Sequence, residues 1–409
     1  MKLFDRLRGH PDRDDFAAIV IDAFRRAGTT EPIEYDPKGF KLLIGGDIQA
    51  FLANIYSDYL KAQRNNREEM LKRFVAGAVG AGTGKLTLEE ALPNLIPIVR
   101  TLSFHHIVNL QLQVDGKDPE PTPMLPLGGH LALSLVVDAP DAMSYVTQDR
   151  LGAWGIPMGD AMNRALENLL RCSAPKFERR GAGVYVSAWH DAYDSSRLCF
   201  PQMFSDLEVS GDHVAVVPNR DTLIVTGSND SAGMAVVADI CEKAQGVSRP
   251  TSCIPVILRG TTWESYLPGP DSPEHELFNK LRIIEQSRDY AEQKALLEKW
   301  HQATHQDIFV ASYKGTRHRE SGRYGSYCVW SDGVLTLLPE ADTVMFFQQD
   351  KDTGENRSTP AAWSRVREVL DSLMEPLDVY PRRFRVERFP SPEQLAKVME
   401  SPTERFSVN

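Results

Sequence analysis

Apolar residues recur three and four positions apart in several stretches of the chain, which is the spacing that gives a helix one apolar face. In the first stretch, Phe16, Ile19, Val20 and Phe24 predict a helix over residues 15–27. Further helices are predicted over 48–74, 231–244, 277–301 and 360–374, after Asp160, and after the capping-box pairs Thr87/Glu90 and Ser391/Gln394.

Shorter runs that alternate between apolar and polar residues, or that are wholly apolar, predict strands. Two of them flank the tight-turn sequence at 218–221, which favours a hairpin. A polar loop is expected over 349–359. The strands are predicted over 32–35, 39–44, 96–104, 107–114, 131–137, 184–189, 214–217, 222–226, 253–258, 308–312, 326–330, 333–338 and 343–348.

This order of elements predicts an α+β fold class, in which helix–strand–strand–helix modules form two-layer α/β domains. Residues 1–115 would form an N-terminal α+β module. Residues 116–127, rich in proline, aspartate and glycine, would form a linker. Residues 128–260 would form a central α+β module, and residues 261–409 a third α+β domain at the C-terminus.

The composition is that of a globular protein, and it disfavours some classes of function. Of 409 residues, 42% are hydrophobic and 25% are charged, which is enough apolar material for a buried core. The net charge of -10 disfavours nucleic acid as a partner, because an acidic surface repels phosphate groups. The sequence shows neither a signal-like start nor a run of about 18 apolar residues. We therefore expect a cytoplasmic protein that does not contact a membrane.

Residues that could bind a metal or cofactor are scattered rather than grouped. The five cysteines never form a CxxC pair, which argues against disulfides and zinc–thiolate sites. His301 and His305 have the four-residue spacing of a helical metal site, but no carboxylate completes the set. His105 and His106 are adjacent, so on a strand they would point to opposite faces. We predict no metal and no cofactor.

Two conspicuous sequences have a simpler structural explanation. The segment 80–85 looks like a phosphate-binding loop, but it lacks the first glycine and the final serine or threonine of that motif. A basic run near the C-terminus contains Arg382, Arg383, Arg385 and Arg388. On a strand, Arg383 and Arg385 would share a face. We favour charged residues that protect an exposed sheet edge over contact with an anionic partner.

The densest group of chemically capable residues lies at predicted strand ends in the middle third. Short polar residues at strand ends often form the sites of α/β proteins, but they also hold loops together. One interpretation is a structural clamp, in which Arg197 pairs with a carboxylate such as Asp194 or Asp221. The other is a binding or active site. The candidate binding residues are Asp191, Asp194, Arg197, Asn219, Arg220 and Asp221.

Four segments carry a resemblance to a known protein family: IPIVRTLSF (96–104), AMNRALENLL (161–170), DAYDSSRLCFPQMF (191–204) and VAVVPNRDTLIVTGS (214–228). They resemble the YtpQ-like family of bacterial proteins. The resemblance extends over residues 14–260 and is clearest at 184–228, whereas residues 261–409 lie outside it. That family is cytoplasmic and uncharacterised. The resemblance therefore implies one unit over 14–260 and supplies no catalytic residue, cofactor or substrate.

The sequence contains no recognisable motif for an activated nucleophile or a set of metal ligands. We therefore favour a non-enzymatic protein that binds another macromolecule, in particular another protein, through free sheet faces or edges. Two alternatives stay open. The first is a hydrolase or phosphoryl-handling enzyme that uses Asp191, Asp194, Arg197, Arg220 and Asp221 as base, metal ligands and positive charge. The second is a small-ligand sensor with the C-terminal domain as its output. The sequence gives neither the oligomeric state nor a catalytic residue.

Overall fold

The computed structural model describes residues 11–46, 48–80, 86–119, 121–139, 143–181, 183–245, 250–319, 321–349 and 354–399. The chain divides into two compact units. The first consists of residues 1–98, 134–174 and 246–250, and the second of residues 99–133, 175–245 and 251–409. Both units mix helices with largely antiparallel sheet, so the predicted α+β class is confirmed. The domain boundaries predicted from the sequence remain predictions.

The first unit begins with a helix and a three-stranded antiparallel sheet. Asp12 caps the helix by accepting a hydrogen bond from the N–H of Asp15 at 2.9 Å. The elements are α1 (Arg13–Arg26), β1 (Ile33–Asp36), β2 (Lys41–Ile44), β3 (Ile48–Phe51), α2 (Ala53–Lys61) and α3 (Arg64–Gly80). Their apolar faces enclose a core that includes Phe16, Val20, Phe24, Leu42, Leu52 and Leu71.

Strand β3 corrects the prediction of a continuous helix over 48–74. Gly45 and Gly46 adopt positive φ angles of 62° and 83°, and the chain reverses around them. The strand then pairs with β2 in antiparallel register, with Leu42 opposite Ala50. The apolar spacing of this segment also fits a helix, but the reversal places its backbone beside β2, where sheet hydrogen bonds form instead.

The following segment begins with the predicted capping box, which is confirmed. The hydroxyl of Thr87 accepts from the N–H of Glu90, and the Glu90 carboxylate accepts from the N–H of Thr87. Residues 81–85, which carry most of the glycine-rich motif, lie outside the described residues. The elements are α4 (Leu88–Ala91), β4 (Leu95–Thr101), α5 (Leu102–Val114), β5 (Met124–Leu127), β6 (Leu131–Asp138), β7 (Met143–Tyr145), α6 (Gln148–Trp154) and α7 (Met158–Arg171).

Helix α5 replaces the strand predicted over 107–114. Thr101 ends β4 and caps the helix, because its hydroxyl accepts a backbone N–H of the first turn at 3.2 Å. Ile107, Leu110 and Val114 then pack into one hydrophobic core. Their spacing of three and four residues is that of a helix, which the simpler alternating pattern obscured.

Two further predictions change with these helices. His105 and His106 lie on α5 rather than on a strand, so their side chains are about 100° apart around the helix axis. Asp160 does not cap α7, which begins at Met158 after Pro157. It lies in the first turn, where its carboxylate suits the positive end of the helix dipole.

The second unit is built on a six-stranded sheet with the order β13-β12-β10-β11-β9-β8. The predicted hairpin joins β10 to β11, with His213 opposite Gly227. The elements are β8 (Phe177–Arg179), β9 (Tyr185–Ser187), β10 (His213–Asn219), β11 (Thr222–Gly227), α8 (Ser231–Ala244), β12 (Pro250–Arg259), β13 (Thr262–Ser265) and α9 (His275–Ala303). The core against this sheet includes Val184, Val214, Ile224, Met234, Val237, Phe278 and Leu281.

The C-terminal part of this unit contains two four-stranded sheets, with the orders β15-β16-β18-β19 and β14-β17-β21-β20. The elements are β14 (Phe309–Val310), β15 (Lys314–Arg317), β16 (Tyr324–Ser331), β17 (Thr336–Pro339), β18 (Thr343–Gln349), β19 (Asn356–Ala362), α10 (Trp363–Leu370), β20 (Glu375–Pro376), β21 (Arg383–Val386) and α11 (Pro392–Met399).

Strand β19 corrects the end of the polar loop predicted over 349–359 and shortens the helix predicted over 360–374. Residues 350–353 of that loop lie outside the described residues. Strand β19 pairs with β18, with Ala361 opposite Val344. Pro360 lies within the strand, which a sheet tolerates at its edge because no neighbour needs the missing N–H there. The polar residues at the start of β19 are exposed, as an edge strand allows.

The basic run predicted to protect a sheet edge contains a buried arginine. Strand β21 pairs with both β17 and β20, so it is not an edge strand. The fully buried guanidinium of Arg383 donates to the side-chain oxygen of Gln293 at 2.6 Å and to the carbonyl oxygens of Ala311 at 2.8 Å and Leu337 at 3.0 Å. Burial lowers the pKa of Arg383 to about 10. Arg383 thus holds three separate segments of the unit together.

Replacing Arg383 with alanine should strongly destabilise the protein, because buried carbonyl groups would lose their donor. We expect the free energy of unfolding in urea to fall by about 3–5 kcal/mol. Arg388→Ala removes an exposed arginine of the same run. That matched control should change the value by less than about 0.5 kcal/mol. Small and equal losses in the two variants would contradict the role assigned to Arg383.

Candidate functional site

A cavity of about 650 Å³ lies within the second unit. This volume is in the range of pockets that hold small organic ligands, roughly 300–1,000 Å³. Helix α9 forms one wall, and the other walls come from segments that are far apart in the sequence. The lining residues outside α9 are Thr101, Ser103, Gly129, His130, Ile254, Ser265, Tyr266, Leu267, Glu340, Ala341, Asp342, Trp363, Ser364, Tyr380, Pro381 and Arg382.

Helix α9 presents a polar stripe to this cavity. Arg282, Glu285, Gln286 and Asp289 line it, and their spacing of three and four residues places them along one side of the helix. Apolar residues of the same helix enter three different hydrophobic cores. Glu285 and Asp289 of the stripe are buried, although acidic residues are usually found in water.

Glu285 is the most perturbed acid of the lining. Its side chain is only 7% exposed, and its Oε2 accepts the N–H of Cys253 at 2.9 Å. Burial, together with the negative charge of Asp289, raises the pKa of Glu285 to about 7. The hydrogen bonds from Cys253 and Ser252 and the charge of Arg288 act in the opposite direction but are smaller effects. Glu285 can therefore gain or lose a proton near neutral pH.

Asp289 lies one turn further along α9 and is held by two groups, the Ser103 hydroxyl and the Arg288 guanidinium. The Ser103 hydroxyl donates to Oδ2 of Asp289 at 2.5 Å, and the Ser103 oxygen lies 3.0 Å from Oγ1 of Thr101. Arg288 forms an ion pair with Oδ1 of Asp289 at 3.0 Å. These contacts fix the carboxylate of Asp289 and leave the Ser103 hydroxyl committed to it.

His130 lines the cavity from the start of β6. Its Nδ1 lies 3.2 Å from the carbonyl oxygen of Gly128, and its own carbonyl accepts the N–H of Leu102 at 2.9 Å. Burial lowers the pKa of His130 to about 4, so the ring is neutral at pH 7. Gly128 has a φ of +59°, and a Cβ there would lie 2.4 Å from Cγ1 of Val256, so this approach requires glycine.

Other polar residues of α9 that line the cavity are hydrogen-bonded to the C-terminal part of the unit. Arg282 makes two contacts of 3.0 Å with the carboxylate of Asp342. The Tyr290 hydroxyl donates to the carbonyl oxygen of Arg382 at 2.8 Å. Burial raises the pKa of Tyr380 to about 12, so its hydroxyl keeps its proton. The cavity is thus lined by both acidic and basic side chains that are held in place by hydrogen bonds.

The six candidate residues predicted from the sequence lie elsewhere in the second unit, and none of them lines this cavity. Arg197 is fully buried and donates to both carboxylate oxygens of Asp191, at 2.9 and 2.6 Å. Its guanidinium also lies 4.3 Å from the centre of the Trp189 ring. These contacts pair Arg197 with Asp191, a carboxylate of the same cluster that the clamp interpretation did not give as an example.

The other members of the predicted cluster are arranged around this pair. Oδ1 of the buried Asp194 accepts a backbone N–H from His190 at 3.4 Å. The carbonyl oxygen of Arg220 accepts the N–H of Ser195 at 3.2 Å, which brings the two polar segments together. The Arg220 guanidinium lies 3.5 Å from the half-exposed carboxylate of Asp221. Asn219 caps the turn by accepting the N–H of Asp221 at 2.9 Å.

Sequence reasoning missed the cavity residues, although one signal was present. The apolar spacing predicts a helix over 277–301 but does not single out the face that lines the cavity. Its polar residues Arg282, Glu285 and Asp289 lie among apolar residues at helical spacing, which is unusual for a solvated face. The contributions of Ser103 and His130 had no comparable signal, because these residues come from distant segments.

Comparison with known proteins gives only distant relatives. No family model and no solved structure matches the chain. A UPF0354 protein of Listeria welshimeri is 26% identical over 226 residues, which cover 53% of this chain and 76% of that protein. UPF0354 proteins of Listeria innocua and Listeria monocytogenes are 25% and 24% identical over 180 and 177 residues. Each of these two alignments covers 42% of this chain and 62% of the relative.

The chain is similar to uncharacterised bacterial proteins. The names of these relatives assign no activity, so the similarity does not select a function. Within the described part of the chain, no helix is both long and apolar enough to span a membrane. Among the same residues, no group of three or more histidine, cysteine, aspartate or glutamate side chains is placed to hold a metal ion.

Replacing Glu285 with glutamine should stabilise the protein at pH 8 and have much less effect at pH 5. The pKa of Glu285 is raised from its ordinary value of 4.5 to about 7. The folded protein therefore keeps a proton that the unfolded chain loses, and the wild type loses stability as the pH rises from 4.5 to 7. The full loss is roughly 3 kcal/mol, which glutamine avoids because it cannot ionise.

Urea unfolding at several pH values checks this expectation. Burial lowers the pKa values of His105 and His130 to about 4, so these groups destabilise the folded state as the pH falls below 6.5. Their effect on the pH dependence of stability opposes that of Glu285. The difference in the free energy of unfolding between Glu285→Gln and the wild type isolates the contribution of Glu285. If this difference does not change with pH, the raised pKa of Glu285 is refuted.

Replacing Arg197 with alanine should destabilise the protein by about 3–5 kcal/mol, because the partly buried Asp191 would lose its ionic partner. Asp221→Ala serves as the control, because Asp221 is half exposed and its contact with Arg220 is long. We expect it to cost less than about 1 kcal/mol. Thermal melting of both variants provides the measurement, and wild-type melting of Arg197→Ala would argue against a structural role.

Proposed function

We propose that the protein binds a small polar molecule in the cavity beside α9 and acts as a non-enzymatic, cytoplasmic regulatory protein. The observation that carries this proposal is the convergence of buried polar groups on a cavity of about 650 Å³. Largely preformed pockets with a few fixed polar groups are the usual sites of small ligands. This develops the sensor alternative drawn from the sequence.

The way the cavity is built supports a regulatory role. Its walls come from the β4–α5 junction, the turn before β6, the β12–β13 hairpin and α9. The C-terminal part of the unit adds the loops before β18 and β21 and the start of α10. These segments are distant in the sequence. A ligand that contacts all of them would stabilise their mutual packing, because binding to the folded state alone shifts the folding equilibrium. We propose that residues 261–409 carry the resulting signal as an output domain.

The chemistry of the side chains favours binding over catalysis. The Ser103 hydroxyl is hydrogen-bonded to Asp289. Burial raises the pKa values of Cys199 and Cys328 to about 12, which disfavours their reactive thiolate forms. The hydrolase alternative relied on Arg197, but this residue is fully buried and paired with Asp191. A substrate would have to displace that pair.

Binding to another protein remains a second candidate, and one observation favours it. In the first unit, β3 is an edge strand of the sheet β1-β2-β3, and its Phe51 is 57% exposed. An edge strand with an exposed aromatic residue can accept a strand from a partner. Capture experiments with wild type and Phe51→Lys test this candidate, which requires a partner that only the wild type retains.

We also propose that the similarity to UPF0354 proteins and the resemblance to the YtpQ-like family describe one relationship, centred on residues 14–260. The length of the longest alignment, 226 residues, is compatible with this extent. Secondary-structure and melting measurements on the isolated fragment 14–260 would test whether it forms the single unit that the resemblance implies.

A ligand screen by thermal shift tests the main proposal on the full chain. Ser364 is exposed and lines the cavity, so Ser364→Trp should obstruct it while Ser364→Ala leaves it open. A ligand at about 100 times its Kd adds roughly 2.7 kcal/mol of stability, a shift of a few degrees. The shift should occur in wild type and Ser364→Ala and disappear in Ser364→Trp. A screen of polar metabolites without any hit, or a hit unaffected by the tryptophan, would overturn the proposal.

A further inference from the structure

The charged groups of the cavity are not balanced. Four carboxyl groups line it, from Glu285, Asp289, Glu340 and Asp342, against the guanidinium groups of Arg282 and Arg382. Arg282 is occupied by Asp342 through two contacts of 3.0 Å. Asp289 is paired with Arg288, which does not line the cavity. When Arg288 is counted as the partner of Asp289, three guanidinium groups are available for four carboxyl groups, so one carboxyl group is in excess.

The excess falls on Glu285, the carboxyl group that is both deeply buried and without an ion pair among the described residues. Its contacts are the N–H of Cys253 and a hydrogen bond with the side chain of Ser252. An ionised carboxylate offers about four acceptor positions, so two donors leave capacity for more. Isolated buried carboxylates are costly, and a cationic partner removes most of that cost.

A second, independent feature of the lining suits a cation. Four aromatic residues, Tyr266, Tyr290, Trp363 and Tyr380, contribute to the lining of the cavity. Aromatic faces attract ammonium and guanidinium groups through their negative quadrupole, and the attraction increases where water is excluded. Acidic and aromatic residues around one cavity are the combination that recognises organic cations.

From these observations we infer that the ligand of the cavity is a small organic cation, with an amino or guanidinium group that forms an ion pair with Glu285. This inference rests on the proposed ligand-binding function and specifies its substrate class. Arg382 is the only exposed arginine of the lining and marks the place where a polar or negative portion of the same ligand would be accepted.

Binding of a cation should depend on pH through Glu285. The groups that face Glu285 are Asp289 and Arg288 on α9, Cys241 on α8, Cys253 on β12 and Tyr380 in the C-terminal region. Burial and hydrogen bonding keep Cys241 and Tyr380 protonated well above pH 8. Because the pKa of Glu285 is about 7, a cation should bind about tenfold more weakly at pH 6 than at pH 8.

The test uses thermal shift and calorimetry on the full chain with matched compounds. Two aromatic series each contain a cation, a neutral alcohol and an anion: tryptamine, tryptophol and indole-3-acetate, and phenethylamine, phenethyl alcohol and phenylacetate. A third, aliphatic series contains the cations agmatine and 4-aminobutanol, the zwitterion 4-guanidinobutyrate and the neutral alcohol hexanol. We expect compounds whose net charge is positive to bind best in at least one series. Glu285→Gln should weaken that binding about tenfold or more and remove its pH dependence.

Glu298→Gln is the matched control, since Glu298 is half exposed on the same helix and pairs with Lys294 outside the cavity. It should leave binding and pH dependence unchanged. Preferential binding of neutral or negative compounds, or a cation affinity that survives in Glu285→Gln, would overturn the cation assignment alone. Absence of binding by any compound, together with an unsuccessful metabolite screen, would instead reject the cavity as a ligand site.

Discussion

The second unit depends on the burial of α9 against three hydrophobic cores. Phe278 and Leu281 pack with the six-stranded sheet and α8, whereas Ile283 and Tyr290 pack with the C-terminal strands. Leu296 and Leu297 pack in the core that contains residues of α5. This 29-residue helix also buries the polar side chains of Asn279, Glu285, Asp289 and Gln293. These side chains must find partners inside the protein, because buried polar groups without hydrogen bonds are destabilising.

The polar residues of α9 meet this requirement to different degrees. Gln293 is hydrogen-bonded at both ends of its amide, since its nitrogen donates to the carbonyl oxygen of Pro381 and its oxygen accepts from Arg383. Asp289 is held by a serine hydroxyl and an arginine. Glu285 has two weaker donors and no ionic partner among the described residues. The same helix thus combines structural polar contacts with one group that retains binding capacity.

The pair formed by Arg197 and Asp191 illustrates the opposite case. Both charges are matched in a bidentate geometry, and the guanidinium also rests on Trp189. Such a pair stabilises loops in one arrangement but offers little to a ligand, because its donors and acceptors are already engaged. A high density of charged residues in the sequence therefore did not distinguish a binding site from a structural contact.

Local sequence patterns predicted elements wherever spacing and capping residues agreed. The helix at Ser231–Ala244 matches its predicted bounds, and α9 differs from them by two residues at each end. The patterns failed at β3 and α5, where a glycine turn and a threonine cap decided between two structures that the apolar spacing allowed almost equally. In both places a single backbone feature outweighed the periodicity of the side chains.

The sequence by itself determined the α+β class and most helices and strands, because these depend on residues within about ten positions of one another. The tertiary structure alone decided which polar residues became a cavity. The Ser103 hydroxyl reaches Asp289 across 186 positions of the chain. Burial then gives Glu285 a pKa near neutrality, which the same residue in a solvated helix would not have. Proximity and desolvation arise only when distant segments pack together, and they give the cavity its chemistry.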